Sequence, residues 1–207
     1  MGPPGSGKGT QAAHIASKKG VKSVSSGDLF RENLSMNTEL GNLAKSFMDK
    51  GEYVPDKITI DMVMGWIENP DHSAGFVLDG FPRTLAQAEA LDERLEDKGG
   101  VDRVIFFNVP ERELISRLSS RFICKLCQTP YNEISSPPVR EGKCNLCHGD
   151  LYQRDDDQAD VVRNRLLVYM QETQPVVDYF RKMGKLREID ASLNIEDVRS
   201  LIEKAVR

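Results

Sequence analysis

Gly2-Pro3-Pro4-Gly5-Ser6-Gly7-Lys8-Gly9-Thr10 opens the chain, and the residues after it decide how it is read. Glycines at this density let successive backbone N–H groups curl around an anion. From Gln11 the pattern turns helical: Ala12, Ile15 and Ala16 share a face, Lys18-Lys19 close the last turn and Gly20 stops it. A helix emerging from such a loop points its positive N-terminus at the same anion, and Lys8 can then reach terminal phosphates. Gly9 stands where a hydroxyl residue usually follows the lysine, with Thr10 one place later. On the loop alone, a glycine-rich turn without a ligand remains an alternative.

Working outward, the pattern alternates strands with helices. Val21–Val24 reads as a short strand. Residues 26–55 read as helical, punctuated by Gly41 and Gly51, and a further helix is expected over Lys57–Ile67. Gly75–Leu78 suits a buried strand that ends at Asp79-Gly80. Ala86–Leu95 follows as helix, with Gly99-Gly100 as a breaker pair. Arg103–Val109 is the clearest buried strand, and Pro110 opens the helix through Leu118. Residues 122–153 read as a small insertion. Asp160–Lys182 reads as a long helix that Pro175 should kink or split. Leu186–Asp190 is a last strand and Ile195–Val206 a closing helix. This alternation predicts an α/β fold with a doubly wound parallel sheet.

Composition narrows the function. The chain has 207 residues, 39% hydrophobic and 29% charged, enough to bury a core. Its net charge of −4 argues against a general nucleic-acid binder, which carries a basic face. No apolar run approaches the roughly 20 residues of a membrane helix, and no signal-peptide pattern opens the chain. A cytoplasmic protein is expected, without nucleic-acid or membrane partners.

Cys124-x-x-Cys127 and Cys144-x-x-Cys147 use all four cysteines in a C-x2-C-x16-C-x2-C arrangement. Two such knuckles offer four thiolates to one tetrahedral metal, with zinc favoured. A redox pair would leave the second Cys-x-x-Cys unexplained. A heme site at Cys144-x-x-Cys147-His148 would leave the first. Four thiolates close the coordination shell, so the metal would hold a segment too small to build its own core.

The nine-residue loop resembles the phosphate loop of adenylate kinases. The resemblance continues through Ser25-Ser26-Gly27-Asp28-Leu29-Phe30-Arg31, Asp79-Gly80-Phe81-Pro82-Arg83-Thr84 with Gln87, and Leu151-Tyr152-Gln153-Arg154-Asp155-Asp156-Asp157. Four motifs in order, covering essentially the whole chain, are similar to the long bacterial type with a zinc lid. The resemblance implies a P-loop nucleoside monophosphate kinase-like fold. Its core would be 1–25, 56–120 and 158–207, with a helical AMP-binding insertion at 26–55 and a zinc lid at 121–157.

It further implies transfer of phosphate from ATP to AMP, giving ADP, with Mg²⁺ on the nucleotide and a monomeric enzyme. Gly5, Ser6, Gly7, Lys8, Gly9 and Thr10, with Arg117 and Arg121, would bind ATP. Ser26, Arg31, Tyr53, Val54, Pro55, Gly80, Arg83 and Gln87, with Arg154 and Arg165, would bind AMP. Lys8, Arg117, Arg121, Arg154 and Arg165 would surround the transferring group, and Asp79 would order water around Mg²⁺, a role Asp28 could share. Arginine suits such a site because its planar fork binds phosphate in bidentate fashion. Arg163, two residues from Arg165, points to another face and reads as a surface ion-pair residue. The Asp155–Asp157 run reads as a solvated turn or a lid hinge.

One departure stands out. The family has an apolar strand just before the phosphate loop, where this chain has Met1 alone. Either upstream residues supply that strand, or the sheet carries a central gap. Rival readings are a nucleoside monophosphate kinase of other base preference, or a zinc-ribbon binding module with a vestigial phosphate loop.

Overall fold

The computed structural model describes residues 1–206. Helix α1 (Lys8–Lys19) begins three residues earlier than its apolar pattern, because Gly7, in the left-handed region at φ 88, is its N-cap. Gly20 ends it at φ 67. Strand β1 (Lys22–Ser25) follows, then α2 (Ser26–Ser35), whose first turn is capped by the Ser25 hydroxyl.

The helical insertion breaks at Gly51, which turns the chain at φ 73, but not at Gly41. The chain turns at Met36–Thr38, and α3 (Glu39–Met48) starts from a Thr38 cap. Gly41 lies inside α3 as a close-approach residue, where a Cβ would meet Leu34 N at 2.3 Å and Asn33 C at 2.4 Å. Helix α4 (Asp56–Ile67) then shares a small core with both, in which Phe30, Ala44 and Val54 are buried beside Ile58 and Met62.

Strand β2 (Phe76–Asp79), helix α5 (Leu85–Leu95), strand β3 (Val104–Asn108) and helix α6 (Glu111–Ser119) occupy the expected positions to within a residue or two. The lid segment forms a three-stranded antiparallel sheet from β4 (Arg121–Cys124), β5 (Pro130–Asn132) and β6 (Leu151–Tyr152), in the order β5-β4-β6. The long helix is split, as Pro175 requires. Helix α7 (Ala159–Val168) passes into a π turn at Tyr169–Thr173 and continues as α8 (Gln174–Lys182). Strand β7 (Leu186–Asp190) and helix α9 (Ile195–Ala205) complete the order.

The parallel strands form two pairs, β1 with β2 and β3 with β7. Between the pairs lies a cavity of about 850 Å³ bordered by Val77, Leu78, Ile105 and Phe107. Met1 edges into it: its nitrogen donates to Ile105 O at 2.5 Å, and Phe107 N donates to Met1 O at 3.0 Å. Alternation sends side chains to both faces. Val77, Ile105 and Phe107 join a core with Ile15, Leu118, Leu166, Val198 and Ile202. Phe76 and Leu78 pack with Val63 and Leu91, and Val104 packs with Ala88, Val176 and Phe180. Helices therefore cover both faces, as a doubly wound α/β fold requires.

Helix α1 is also tied to α9. Gln11 Nε2 donates to Ile195 O at 3.0 Å, Lys19 Nζ donates to Val206 O at 3.1 Å, and Glu203 pairs with Lys18 and His14. No helix among the described residues is long and apolar enough to cross a membrane.

Alanine normally stabilises a helix relative to glycine, but at Gly41 the sign should reverse. Gly41→Ala is expected to cost about 3 kcal/mol through overpacking, lowering Tm by roughly 6–12 °C in a chain of this size. An unchanged or higher Tm would show that α2 and α3 can separate freely.

Candidate active site

The C-terminal ends of β1 and β2, the loop before α1 and the base of the lid enclose a cavity of about 900 Å³. Its position outside the carboxyl ends of parallel strands is where open α/β sheets carry ligands. Every residue assigned to a nucleotide from the sequence lines it except Pro55, which instead opens α4 as its N-cap.

At one end, Gly5 and Gly7 adopt φ 82 and 88, so the loop curls with its N–H groups inward. No side chain caps α1, which leaves its first-turn N–H groups to a ligand. Lys8 Nζ donates to Pro3 O at 2.8 Å and to Ser6 Oγ at 3.3 Å, an arrangement that holds the amine across the loop. Burial pushes that amine down to about 8; Asp79 opposes the fall, and Arg83, Arg165 and Arg121 add to it. Asp79 ends β2 close to the loop, its Oδ2 3.2 Å from where a Gly9 Cβ would stand.

At the other end, Arg83 is held from several sides. Its Nε donates to Gly80 O at 2.7 Å, and its Cζ lies 5.1 Å from the centre of the Tyr53 ring. Gly80, at φ 68, leaves room for this, since a Cβ there would come within 2.9 Å of the guanidinium. Ser26 Oγ donates to the same Gly80 carbonyl at 2.6 Å. Gln87 is buried with both ends of its amide bonded: Oε1 accepts from Arg83 N at 2.8 Å and Nε2 donates to Asp56 at 2.7 Å.

Between the two ends stand the remaining arginines. Arg121 clamps Asp157 with two bonds, from Nε at 2.8 Å and from a terminal nitrogen at 2.5 Å. Arg165 donates to Asp157 at 3.0 Å and pairs with Asp156 at 3.1 Å. Arg117 donates to Ala191 O at 2.9 Å and pairs with Glu113. Arg31 pairs with Asp28. Among the described residues, Arg83 and Arg154 have no carboxylate within 4 Å, and Arg154 Nε is buried without any partner. Burial, then Arg31 and Arg121, lower Arg154 to about 10, which leaves it charged at neutral pH. Two unpaired guanidiniums facing one cavity suit an anionic ligand.

The aspartate run is thus no solvated turn. Asp157 is 1% exposed. Burial alone would raise Asp156, but Arg165, Arg121, Arg154 and Arg31 outweigh it and hold the carboxyl below its ordinary value. Arg163 does point outward, paired loosely with Asp160 at 3.7 Å.

In the lid, all four sulfur atoms lie within 4.8 Å of one another. The close contacts run across the knuckles, Cys124 to Cys147 at 3.4 Å and Cys127 to Cys144 at 3.5 Å. A redox pair would instead join the two cysteines of one knuckle. The backbone N–H groups of Leu126 and Leu146 each point at a sulfur at 3.4 Å. Four converging sulfurs with supporting N–H donors fit a tetrahedral metal, and the spacing fits zinc. His148 is exposed and outside the cluster.

Two features escaped the sequence reading. The β7–α9 loop contributes Ala191 and Leu193 to the phosphate-loop end of the cavity, and Thr173 touches both Tyr53 and Arg83. The only sequence mark of Thr173 is its position two residues before Pro175.

A family model described as "Adenylate kinase" matches residues 1–185. The adenylate kinase of Archaeoglobus fulgidus is 49% identical over 204 residues, covering 98% of this chain and 94% of its own length. That of Carboxydothermus hydrogenoformans is 50% identical over 208 residues, covering 100% of this chain and 97% of its own. The Streptomyces avermitilis adenylate kinase is 50% identical over 96% of this chain and 91% of its own length.

The lowered Lys8 value has a pH consequence. A bound phosphate raises the amine again, so binding takes up a proton above pH 8. ATP affinity should therefore be full below about pH 8 and weaken by up to about tenfold per unit above it. Calorimetric titrations at pH 7.5 and pH 9 check this, and equal affinities would show that Lys8 keeps its charge in the empty site.

Proposed function

The chain belongs to the adenylate kinase family, and we propose that it moves the terminal phosphate of ATP reversibly to AMP, giving two ADP. The observation that carries this reading is one cavity with a phosphate loop at one end, an arginine over a tyrosine ring at the other, and five arginines between them. Gly5 to Thr10 would cradle the ATP phosphates through backbone N–H groups, with Lys8 on the terminal ones and Arg117 and Arg121 alongside. Arg31 and Arg83 would hold the AMP phosphate. Ser26, Tyr53, Val54, Pro55 and Gly80 would line its nucleoside side. Gln87 would reach the adenine edge by giving up its bond to Asp56.

Arg121, Arg154 and Arg165 would then gather around the transferred group, where negative charge concentrates. No general base is required, since positioning and charge stabilisation carry this chemistry. Mg²⁺ bound to the nucleotide would neutralise part of the phosphate charge, and Asp79 would hold one of its waters. Cys124, Cys127, Cys144 and Cys147 would hold a structural Zn²⁺ that keeps the lid folded. The reading divides the chain into a core of 1–25, 56–120 and 158–207, of which residue 207 lies outside the described residues, an AMP-binding insertion at 26–55 and a zinc lid at 121–157. A small core around Tyr131 supports the lid as a unit, while the core around Phe30 joins the insertion to α4. It also makes the protein a cytoplasmic monomer serving adenine nucleotide balance, with no nucleic-acid or membrane partner.

ADP formation from Mg·ATP should depend on added AMP, and GMP, CMP and UMP should substitute poorly. Arg83→Ala is expected to lower kcat/KM for AMP by about 100-fold, the worth of a charge-assisted bond of roughly 3 kcal/mol, with little change in Tm. A collapse of Tm instead would make Arg83 a structural residue.

Cys147→Ser should lose bound zinc in metal analysis and lower the melting temperature. Full zinc content in that variant would remove the four-thiolate assignment.

A further inference from the structure

Thr173 is the last residue of the π turn, 4% exposed, and its hydroxyl bonds to nothing in its own helix. A threonine inside a helix usually returns its hydroxyl to the carbonyl three or four residues back. Here Oγ1 donates to Arg83 O at 2.8 Å. Its single proton is then used, so the Tyr53 hydroxyl, also at 2.8 Å, must be the donor to Thr173. The order is fixed: Tyr53 donates to Thr173, and Thr173 donates to the Arg83 carbonyl.

The π turn makes this reach possible. Pro175 has no N–H, so the carbonyl four residues before it lacks its usual helical donor and the helix can widen there. The wider turn shifts the faces of the helix and carries Thr173 away from its own ladder. The Arg83 peptide is consequently pinned at both polar groups, its N–H on Gln87 and its C=O on Thr173. The same hydroxyl fixes the tyrosine whose ring lies against the Arg83 guanidinium.

We propose that Thr173 is a positioning residue for the acceptor phosphate, holding Arg83 and Tyr53 in one fixed arrangement from the π turn. This rests on the reading of Arg83 as an AMP-phosphate ligand. Thr173 itself is not among the residues lining the cavity, so its effect passes through its two partners. The helix that carries it also carries Arg165 and starts beside Asp157, so one rod anchors both the central arginine and the acceptor arginine.

Thr173→Val keeps the shape and removes both hydrogen bonds, while Thr173→Ser keeps the hydroxyl. With the enzyme assayed for ADP formation, Thr173→Val should raise KM for AMP about tenfold, the equivalent of roughly one to one and a half net hydrogen bonds. KM for ATP should stay within about twofold, and Thr173→Ser should restore the AMP value. Adding Tyr53→Phe to Thr173→Val should cause little further loss, because the bond it removes is already gone. An unchanged KM for AMP in Thr173→Val would overturn the proposal. So would an equal rise in both KM values with a falling Tm, or full additivity of the two substitutions. Wild-type activity in the same assay separates the cases: if it lacks AMP-dependent ADP formation the acceptor reading falls, and if it has it while Thr173→Val matches it, only the role of Thr173 falls.

Discussion

Six guanidinium groups and the Lys8 amine face a single cavity, and their mutual repulsion must be balanced before any ligand arrives. Asp157 balances two of them, Arg121 and Arg165. It is buried, takes both forks of Arg121 and a bond from Arg165, and Asp156 adds a second carboxylate to Arg165. Burying these charges is costly unless each is paired and hydrogen-bonded, which is why the aspartates sit inside at the junction of lid and α7. Arg83 and Arg154 remain without carboxylates, so the cavity keeps an excess of positive charge. A phosphate group entering it meets an attraction that is already assembled.

The chemistry of this site was legible in the sequence because phosphate recognition needs particular residue types. Glycines before a helix, a lysine at its first turn and arginines in the three motifs that follow leave few other readings. Main elements were legible for a similar reason: β3 is a run of apolar residues bounded by turn signals, and Pro175 cannot continue a regular ladder. What escaped depends on tertiary packing. Gly41 has the composition of a helix breaker, yet the nearness of α2 makes it a packing residue inside α3. The aspartate run has the composition of a solvated turn, and Asp157 is buried under Arg121, 36 positions back, and Arg165, one helix further on. Thr173 carries no local mark of its role, since both of its partners lie 90 or more positions away.

The helices join the two strand pairs, since Val77 of β2 and Ile105 and Phe107 of β3 share one core with Ile15 of α1 and with Val198 and Ile202 of α9. The lid has less to draw on. Its small core is Tyr131, Phe122 and Leu151 beside the converging cysteines, where a bound metal would add the constraint that three short strands need.

The tie between α1 and α9 has a bearing on how the protein is made. Gln11 and Ile195 are 184 positions apart, and His14 and Glu203 are 189 apart. During synthesis the phosphate loop leaves the ribosome well before the helix that braces it. Contacts of such separation form late because the chain between them must already be ordered. The nascent chain therefore carries its glycine loop without that brace until α9 has emerged and the chain between them has ordered.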